Sequence, residues 1–223
     1  LDLDIDAVTF KGASGLTVST GTGDTLKFGS LLLEVTGAGN LVVSSAVTGT
    51  QQAAVTGDVQ LLTANGDVQI DAAVSTGVSS TADGVNAQSG SITVTAGTNG
   101  VIKGTGSLVT GDATVGAGAG ADTATVGSMT LSGNEVSSDG ANAFTVTFGA
   151  ASGATTSNTA GVLNVSTDGS GAAGEIRVTS GAALTVGSLS TTAANATTVD
   201  IRTTAGALTI AGSNTAGNQL DLD

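Results

Sequence analysis

Several residue types are missing from this sequence, and each absence excludes a kind of chemistry. Cysteine is absent, so neither a disulfide nor a thiolate metal site is possible. Histidine is absent as well, which excludes Ser/His/Asp and Cys/His catalytic sites. Tryptophan and tyrosine are missing, and phenylalanine occurs four times. A core built from such a chain must be thin and filled with small aliphatic side chains.

Proline and positive charge are the other shortages. No proline occurs in 223 residues, although proline normally marks turns and protects sheet edges, and this absence favours stacked strands. Five Lys and Arg residues stand against 18 Asp and Glu residues, for a net charge of -13. We expect no nucleic-acid partner, because nucleic acids require clustered basic side chains and aromatic platforms. We also expect no membrane span, because no apolar run approaches the roughly 20 residues of a spanning helix.

The residues that are present alternate between apolar and polar, most clearly in a five-residue sequence motif, which we call the word, that occurs twice. The word is GDVQL at 57–61 and GDVQI at 66–70. Its apolar side chains share one face of a strand, and the opening glycine of each copy supplies a turn. The alternation predicts that Asp58 and Asp67 are outward-facing strand residues rather than a catalytic pair.

Weaker copies of this word follow one another along the whole chain, and no window keeps a helical apolar period. Strand-like examples are Val8–Phe10, Leu31–Val35 and Leu41–Val43, separated by glycine-rich breaks. The spacing fits a coil of about 20 to 24 residues. The sequence therefore predicts an all-β parallel β-helix, or β-solenoid, with irregular rungs. The alternative is a β-sandwich. We expect one domain over 1–223, either by itself or as a segment of a longer repeat protein.

Four of the recurring words carry a resemblance to a known group of proteins. They are GDVQIDAA (66–73), GSITVTAG (90–97), AALTVGSL (182–189) and AGALTIAGS (205–213). These words resemble the repeats of filamentous-haemagglutinin-like adhesins and autotransporter passenger domains, which are large bacterial exoproteins. The resemblance implies a right-handed parallel β-helix with a role in surface attachment or structure. Surface-layer proteins, which are also acidic and rich in Ala, Thr and Gly, resemble the chain nearly as well.

Calcium is the one candidate cofactor. The segments around Asp24 and Asp122 combine glycine with aspartate and are similar to parts of the nonapeptide that binds Ca²⁺ in β-rolls. Tight glycine turns expose carbonyl oxygens, and aspartate adds a hard anionic oxygen. Asp24 and Asp122 are therefore metal-ligand candidates. The alternative interpretation is that both are solvated turn residues, because each copy is isolated.

The two ends of the chain are the candidate self-association surfaces. An uncapped solenoid exposes unpaired backbone groups and apolar side chains at each end. We therefore predict head-to-tail contacts that give a filament or a lattice, with divalent cations bridging the facing aspartate rows. The alternative is that both ends are cut points in a longer protein. The predicted contact residues are Leu1, Asp2, Leu3, Asp4, Ile5, Asp6, Leu220, Asp221, Leu222 and Asp223.

These observations favour an extracellular, cell-surface protein with a structural or adhesive function and no catalytic residues. The expected partners are other copies of the chain, as an oligomer or polymer, and a surface glycan. Two alternatives stay open at this stage. One is a carbohydrate-active β-helix enzyme that uses carboxylates on adjacent rungs. The other is a calcium-dependent surface-layer module.

Overall fold

Parallel β-strands form all of the regular secondary structure described in the computed structural model of this chain. The structure describes residues 5–20, 26–51, 53–137, 144–167, 175–191, 198–215 and 219–222. These residues contain no helix, and therefore no helix that is long and apolar enough to cross a membrane.

The strands are short, and most of them end at a corner that contains glycine. In chain order they are β1 (Ile5–Gly12), β2 (Leu16–Val18), β3 (Leu26–Ala38), β4 (Leu41–Val43), β5 (Val47–Gly49), β6 (Val59–Asn65), β7 (Val68–Ile70), β8 (Ala73–Ser75), β9 (Ser79–Thr81), β10 (Ala87–Gln88), β11 (Ile92–Thr95), β12 (Val101–Lys103), β13 (Ser107–Val109), β14 (Ala113–Val115), β15 (Thr123–Thr125), β16 (Met129–Gly133), β17 (Glu135–Val136), β18 (Thr145–Thr147), β19 (Ala151–Ser152), β20 (Ser157–Thr159), β21 (Leu163–Thr167), β22 (Ile176–Ser180), β23 (Leu184–Thr191), β24 (Thr198–Thr203), β25 (Leu208–Ile210), β26 (Asn214–Thr215) and β27 (Gln219–Leu222).

Successive coils of the chain stack their strands in three columns, which we call the first, second and third faces. The first face runs through β1, β3, β6, β11, β16, β21 and β23, and ends with β25 and β26, which both pair with β23. The second runs through β2, β4, β7, β12, β17, β22, β24 and β27. The third contains the start of β3, then β5, β8, β13, β18 and the end of β22. Every one of these pairings is parallel. This confirms the predicted parallel β-solenoid, and the β-sandwich alternative is wrong because a sandwich pairs its strands antiparallel.

The coils differ in length, and the central coils are longer than predicted. Hydrogen bonds between neighbouring coils join Thr20 to Ser45, 25 residues apart, but Ser89 to Gly127, 38 residues apart. The separation falls again to 24 residues between Asn164 and Ser188. The predicted coil of 20 to 24 residues is therefore too short in the centre.

The extra length of the central coils forms a lateral lobe, which consists of β9, β14 and β19 in one small sheet and β10, β15 and β20 in another. Both sheets are parallel and keep the stacking of the main body. The lobe has its own small core, and Phe148 packs against both this core and the main one. The buried residues of the lobe core are Ala87, Ala113, Val115, Ala124 and Val126.

One continuous core of mainly aliphatic side chains fills the main body from Val8 to Ile201. Its side chains stack in columns because the register is kept from coil to coil. Leu61 lies opposite Leu33 on one side and opposite Val94 on the other, and all three are fully buried. The interior is therefore narrow and mostly aliphatic, as the shortage of aromatic residues predicts. Phe28 and Phe144 are the largest of its fully buried side chains.

Buried hydroxyl groups join the coils at the corners, where the strand ladder is interrupted. Thr56 Oγ1 accepts a hydrogen bond from the Gly90 N–H at 2.6 Å and donates one to the Gly77 carbonyl at 3.0 Å. Ser89 Oγ accepts the Gly127 N–H at 3.0 Å in the same way. Each hydroxyl replaces the carbonyl that a regular ladder would supply, which satisfies a backbone donor that would otherwise be buried without a partner.

The two aspartates of the doubled word have the same bridging role. Asp58 is exposed and Asp67 is half-buried, so neither side chain belongs to the core, but both residues lie one position before a strand rather than within it. Asp58 and Asp67 directly precede β6 and β7. The Asp58 carboxylate accepts the Ser91 N–H at 2.7 Å, and Asp67 accepts the Val101 N–H at 3.0 Å and pairs with Lys103. The two copies of the word therefore lie on adjacent faces of one coil, and each is bonded to the next coil.

Candidate functional site

Five of the residues predicted to act in self-association are described by the structure, and they lie in its first and last strands. Ile5 and Asp6 begin β1, and Leu220, Asp221 and Leu222 lie in β27. The remaining ones, together with the metal candidate Asp24, lie outside the described residues. They are Leu1, Asp2, Leu3, Asp4 and Asp223.

The first end of the stack is the outer edge of β1. Among the described residues, β1 pairs only with β3. Phe10 lies opposite Leu33, which is fully buried, so Phe10 occupies a position that faces the core. Phe10 is nevertheless 45% exposed. A core-facing aromatic ring is therefore open at this end.

The second end of the stack also has a core-facing apolar side chain that is partly exposed. Within the described part of the chain, β25 pairs only with β23, and Ile210 lies opposite the buried Val186. Val186 in turn lies opposite Leu163, so Ile210 continues a core-facing column of the first face. Ile210 is 37% exposed. Phe10 and Ile210 are thus open core positions on the same face at opposite ends.

Two ion pairs within the chain lie near the ends of the stack. Lys11 forms an ion pair with Glu34 at 2.6 Å, and Arg202 with Asp200 at 2.7 Å. Both basic side chains are more than half exposed, and such pairs contribute about 0 to 1 kcal/mol each. The open ends are therefore distinguished by their apolar side chains and strand edges rather than by these charges.

Asp122, the second metal candidate, is buried in the lateral lobe and bridges three coils. It is 1% exposed, so it is not the solvated turn residue of the alternative interpretation. One carboxylate oxygen accepts the Thr155 N–H at 2.7 Å and the Thr155 hydroxyl at 3.2 Å. The other faces the Gly84 N–H at 3.4 Å. The Asp122 carboxylate is thus hydrogen-bonded to both neighbouring coils, and the described residues contain no group of three acidic side chains suited to a metal. Calcium binding therefore stays a prediction.

Hydrogen bonds to Asp122 also make the lobe sensitive to acid. The Thr155 N–H holds the pKa of Asp122 below its ordinary value of 3.8, against the opposing effect of burial. Because the pKa is lower in the folded chain than in the unfolded chain, Asp122 stabilises the fold fully above about pH 3.8. This stability is lost as the pH falls through the folded-state pKa.

We therefore expect the lobe to open on acidification before the main body does. NMR titration of the Asp122 carboxyl carbon should give a midpoint below 3.8, and pepsin cleavage between β9 and β10 should begin in the same pH range. Asp122→Asn keeps one acceptor but cannot titrate, so it is the matched control and should remove the pH dependence. A midpoint at or above the ordinary value would contradict this prediction.

The bridging hydroxyls have a signal in the sequence. Thr or Ser directly precedes a corner glycine in Thr56-Gly57, Ser89-Gly90, Thr76-Gly77 and Thr110-Gly111. In all four the hydroxyl oxygen accepts the N–H of a glycine one coil further on. By themselves the dipeptides indicate only turns, because the partners of their hydroxyl groups lie more than 30 residues away.

The fold defines the class of this protein as a parallel β-solenoid with a lateral lobe. Comparison of the chain with protein-family models, with curated proteins and with solved structures gives no significant match. The surfaces described above are therefore the features of this chain that bear on its function.

Proposed function

We propose that this chain is an extracellular structural or adhesive protein that self-associates end to end through the first face. The supporting observation is that Phe10 and Ile210, at opposite ends, occupy core-facing positions and yet are 45% and 37% exposed. All strands are parallel, so the open edge of β1 on one copy has the direction needed to pair with the open edge of β25 on another.

Such a contact is heterologous, because it joins two different surfaces of the same chain. Heterologous contacts that do not close into a ring produce filaments. Burying both apolar side chains and pairing both strand edges provides the driving force. A chain that acts in this way needs no catalytic residues, and its bridging hydroxyls and carboxylates serve to hold the coils together.

Single charged substitutions at the ends test the proposal. We expect Phe10→Asp alone and Ile210→Asp alone to stay monomeric under conditions in which the unmodified chain forms oligomers, measured by analytical ultracentrifugation and electron microscopy. Each variant retains one intact end. An equimolar mixture should therefore form a dimer and stop there, because the blocked ends cannot extend it.

Val55→Asp is the matched control, since Val55 is an exposed apolar residue at 58% that does not belong to the open ends. This variant should assemble like the unmodified chain. A chain that stays monomeric at all concentrations would contradict the proposal. Polymers formed by Phe10→Asp alone would contradict it as well.

A further inference from the structure

A groove runs along the solenoid axis where the lateral lobe leaves the third face. Its volume is about 460 Å³, which lies within the range of small-molecule sites. It crosses four coils, because its first wall is the outward column of Thr48, Ser75, Val109 and Thr147. At about 4.8 Å per coil, the column is about 14 Å long.

The floor of this groove is formed by glycine residues, which have no side chains to fill it. Gly49, Gly111 and Gly149 line it. A Cβ at Gly111 would lie 2.1 Å from the Gly77 carbonyl oxygen, and one at Gly149 would lie 2.3 Å from that of Gly111. The coils therefore approach closely at this corner, and the concave bend depends on residues without side chains.

The walls combine hydrogen-bonding groups with apolar surface. Val78, which is 39% exposed, and Val109 both line the groove. One oxygen of Asp112 accepts the Ala150 N–H at 2.8 Å, while the other accepts no hydrogen bond from the described residues. The Gln51 amide and the Thr147 hydroxyl are further polar groups in the lining. Alternating C–H surfaces and hydroxyl groups are what a pyranose ring presents to a binding site.

The charge and the strand pairing of the groove select among linear ligands. Its lining contains Asp112 but no basic side chain, and the chain has a net charge of -13, so an anionic polymer would be repelled. An extended peptide would need a free strand edge, but β8 and β13 are paired on both sides. A linear glycan needs neither basic side chains nor a strand edge.

We propose that this groove binds a linear oligosaccharide that carries no anionic groups. The inference rests on the adhesive part of the proposed function and supplies its target, but it does not require end-to-end association. The site lies within one chain, and the polar contacts come from Gln51, Asp112 and Thr147.

The test is an NMR titration of the full chain with four hexasaccharides: cellohexaose, mannohexaose, deacetylated chitohexaose and hexagalacturonate. At least one of the first three should bind and shift the amide signals of Ser75, Val109 and Thr147. The anionic hexagalacturonate should not bind. Val109→Glu places bulk and charge in the groove and should weaken binding at least about tenfold. Gln51→Ala, on the rim, should weaken it without affecting the fold.

Thr93→Glu is the matched control, because Thr93 is a half-buried, outward-facing strand residue on the first face. This variant should bind like the unmodified chain. The Phe10→Asp chain should also bind the oligosaccharide. This variant therefore tests binding in the groove independently of end-to-end association. The proposal is overturned if none of the uncharged or amine-bearing probes binds, if hexagalacturonate binds equally well, or if Val109→Glu has no effect.

Discussion

Replacing Gly57 with alanine is expected to lower the free energy of unfolding by about 3 kcal/mol, because overpacking a closely packed site has costs of this size. A Cβ at Gly57 would lie 1.8 Å from the Gly29 carbonyl oxygen and 2.4 Å from its carbonyl carbon. These are backbone atoms of the preceding coil, so they cannot turn away as a flexible side chain could. The two coils would have to separate at this corner.

Gly57 belongs to a column of corner glycines that precede the strands of the first face. A Cβ at Gly90 would lie 2.0 Å from the Gly57 carbonyl oxygen, and one at Gly127 would lie 2.1 Å from that of Gly90. Separating one pair of coils therefore also disturbs the next. We expect amide hydrogen exchange to increase most in β3, β6 and β11, which flank this corner.

Gly181→Ala is the matched control for this substitution. No atom lies within 4 Å of a Cβ at Gly181, so alanine fits there without a clash. The change should leave the free energy of unfolding the same or raise it by up to about 1 kcal/mol, because alanine lowers the conformational entropy of the unfolded chain. Thermal unfolding followed by circular dichroism compares the two variants. Equal stability of Gly57→Ala and Gly181→Ala would show that the glycine column does not set the distance between coils.

Truncating Leu61 to alanine is the second large effect, with an expected loss of about 3 kcal/mol in the free energy of unfolding. Leu61 is fully buried and stacks between Leu33 and Val94. Removing its side chain leaves a cavity within a narrow core, and the neighbouring coils are fixed by their strand pairing. The site therefore has little freedom to collapse around the cavity.

The adjacent Leu62 is the matched control, because it is the same residue type on the same strand. It points outward, opposite Glu34 on one side and Thr95 on the other, and is half-buried. Leu62→Ala should cost less than about 1 kcal/mol. Urea unfolding measures both variants, and hydrogen exchange should place the Leu61 effect in the coils next to β6, since repeat proteins depend on nearest-neighbour contacts. Equal losses for the two variants would contradict the assigned strand faces.

The alternation of apolar and polar residues was enough to predict the strands and the fold class. Leu41–Val43 coincides with β4, and Leu31–Val35 lies within β3. The alternation predicts strands because a strand places successive side chains on opposite faces, whichever strands it pairs with. The missing aromatic residues likewise implied the narrow aliphatic interior. Both are local properties of the sequence.

Tertiary structure alone decided how far each coil extends and which distant residues meet. The lateral lobe, the groove beside it and the bridges from Asp58, Asp67 and Asp122 all join residues more than 30 positions apart. No local pattern encodes such separations, because variable loops absorb the differences in coil length while the strand register stays fixed. The doubled word determined by itself that two strands, β6 and β7, lie within residues 57–70. Only the stacking of coils decided that its aspartates bind the backbone of the next coil.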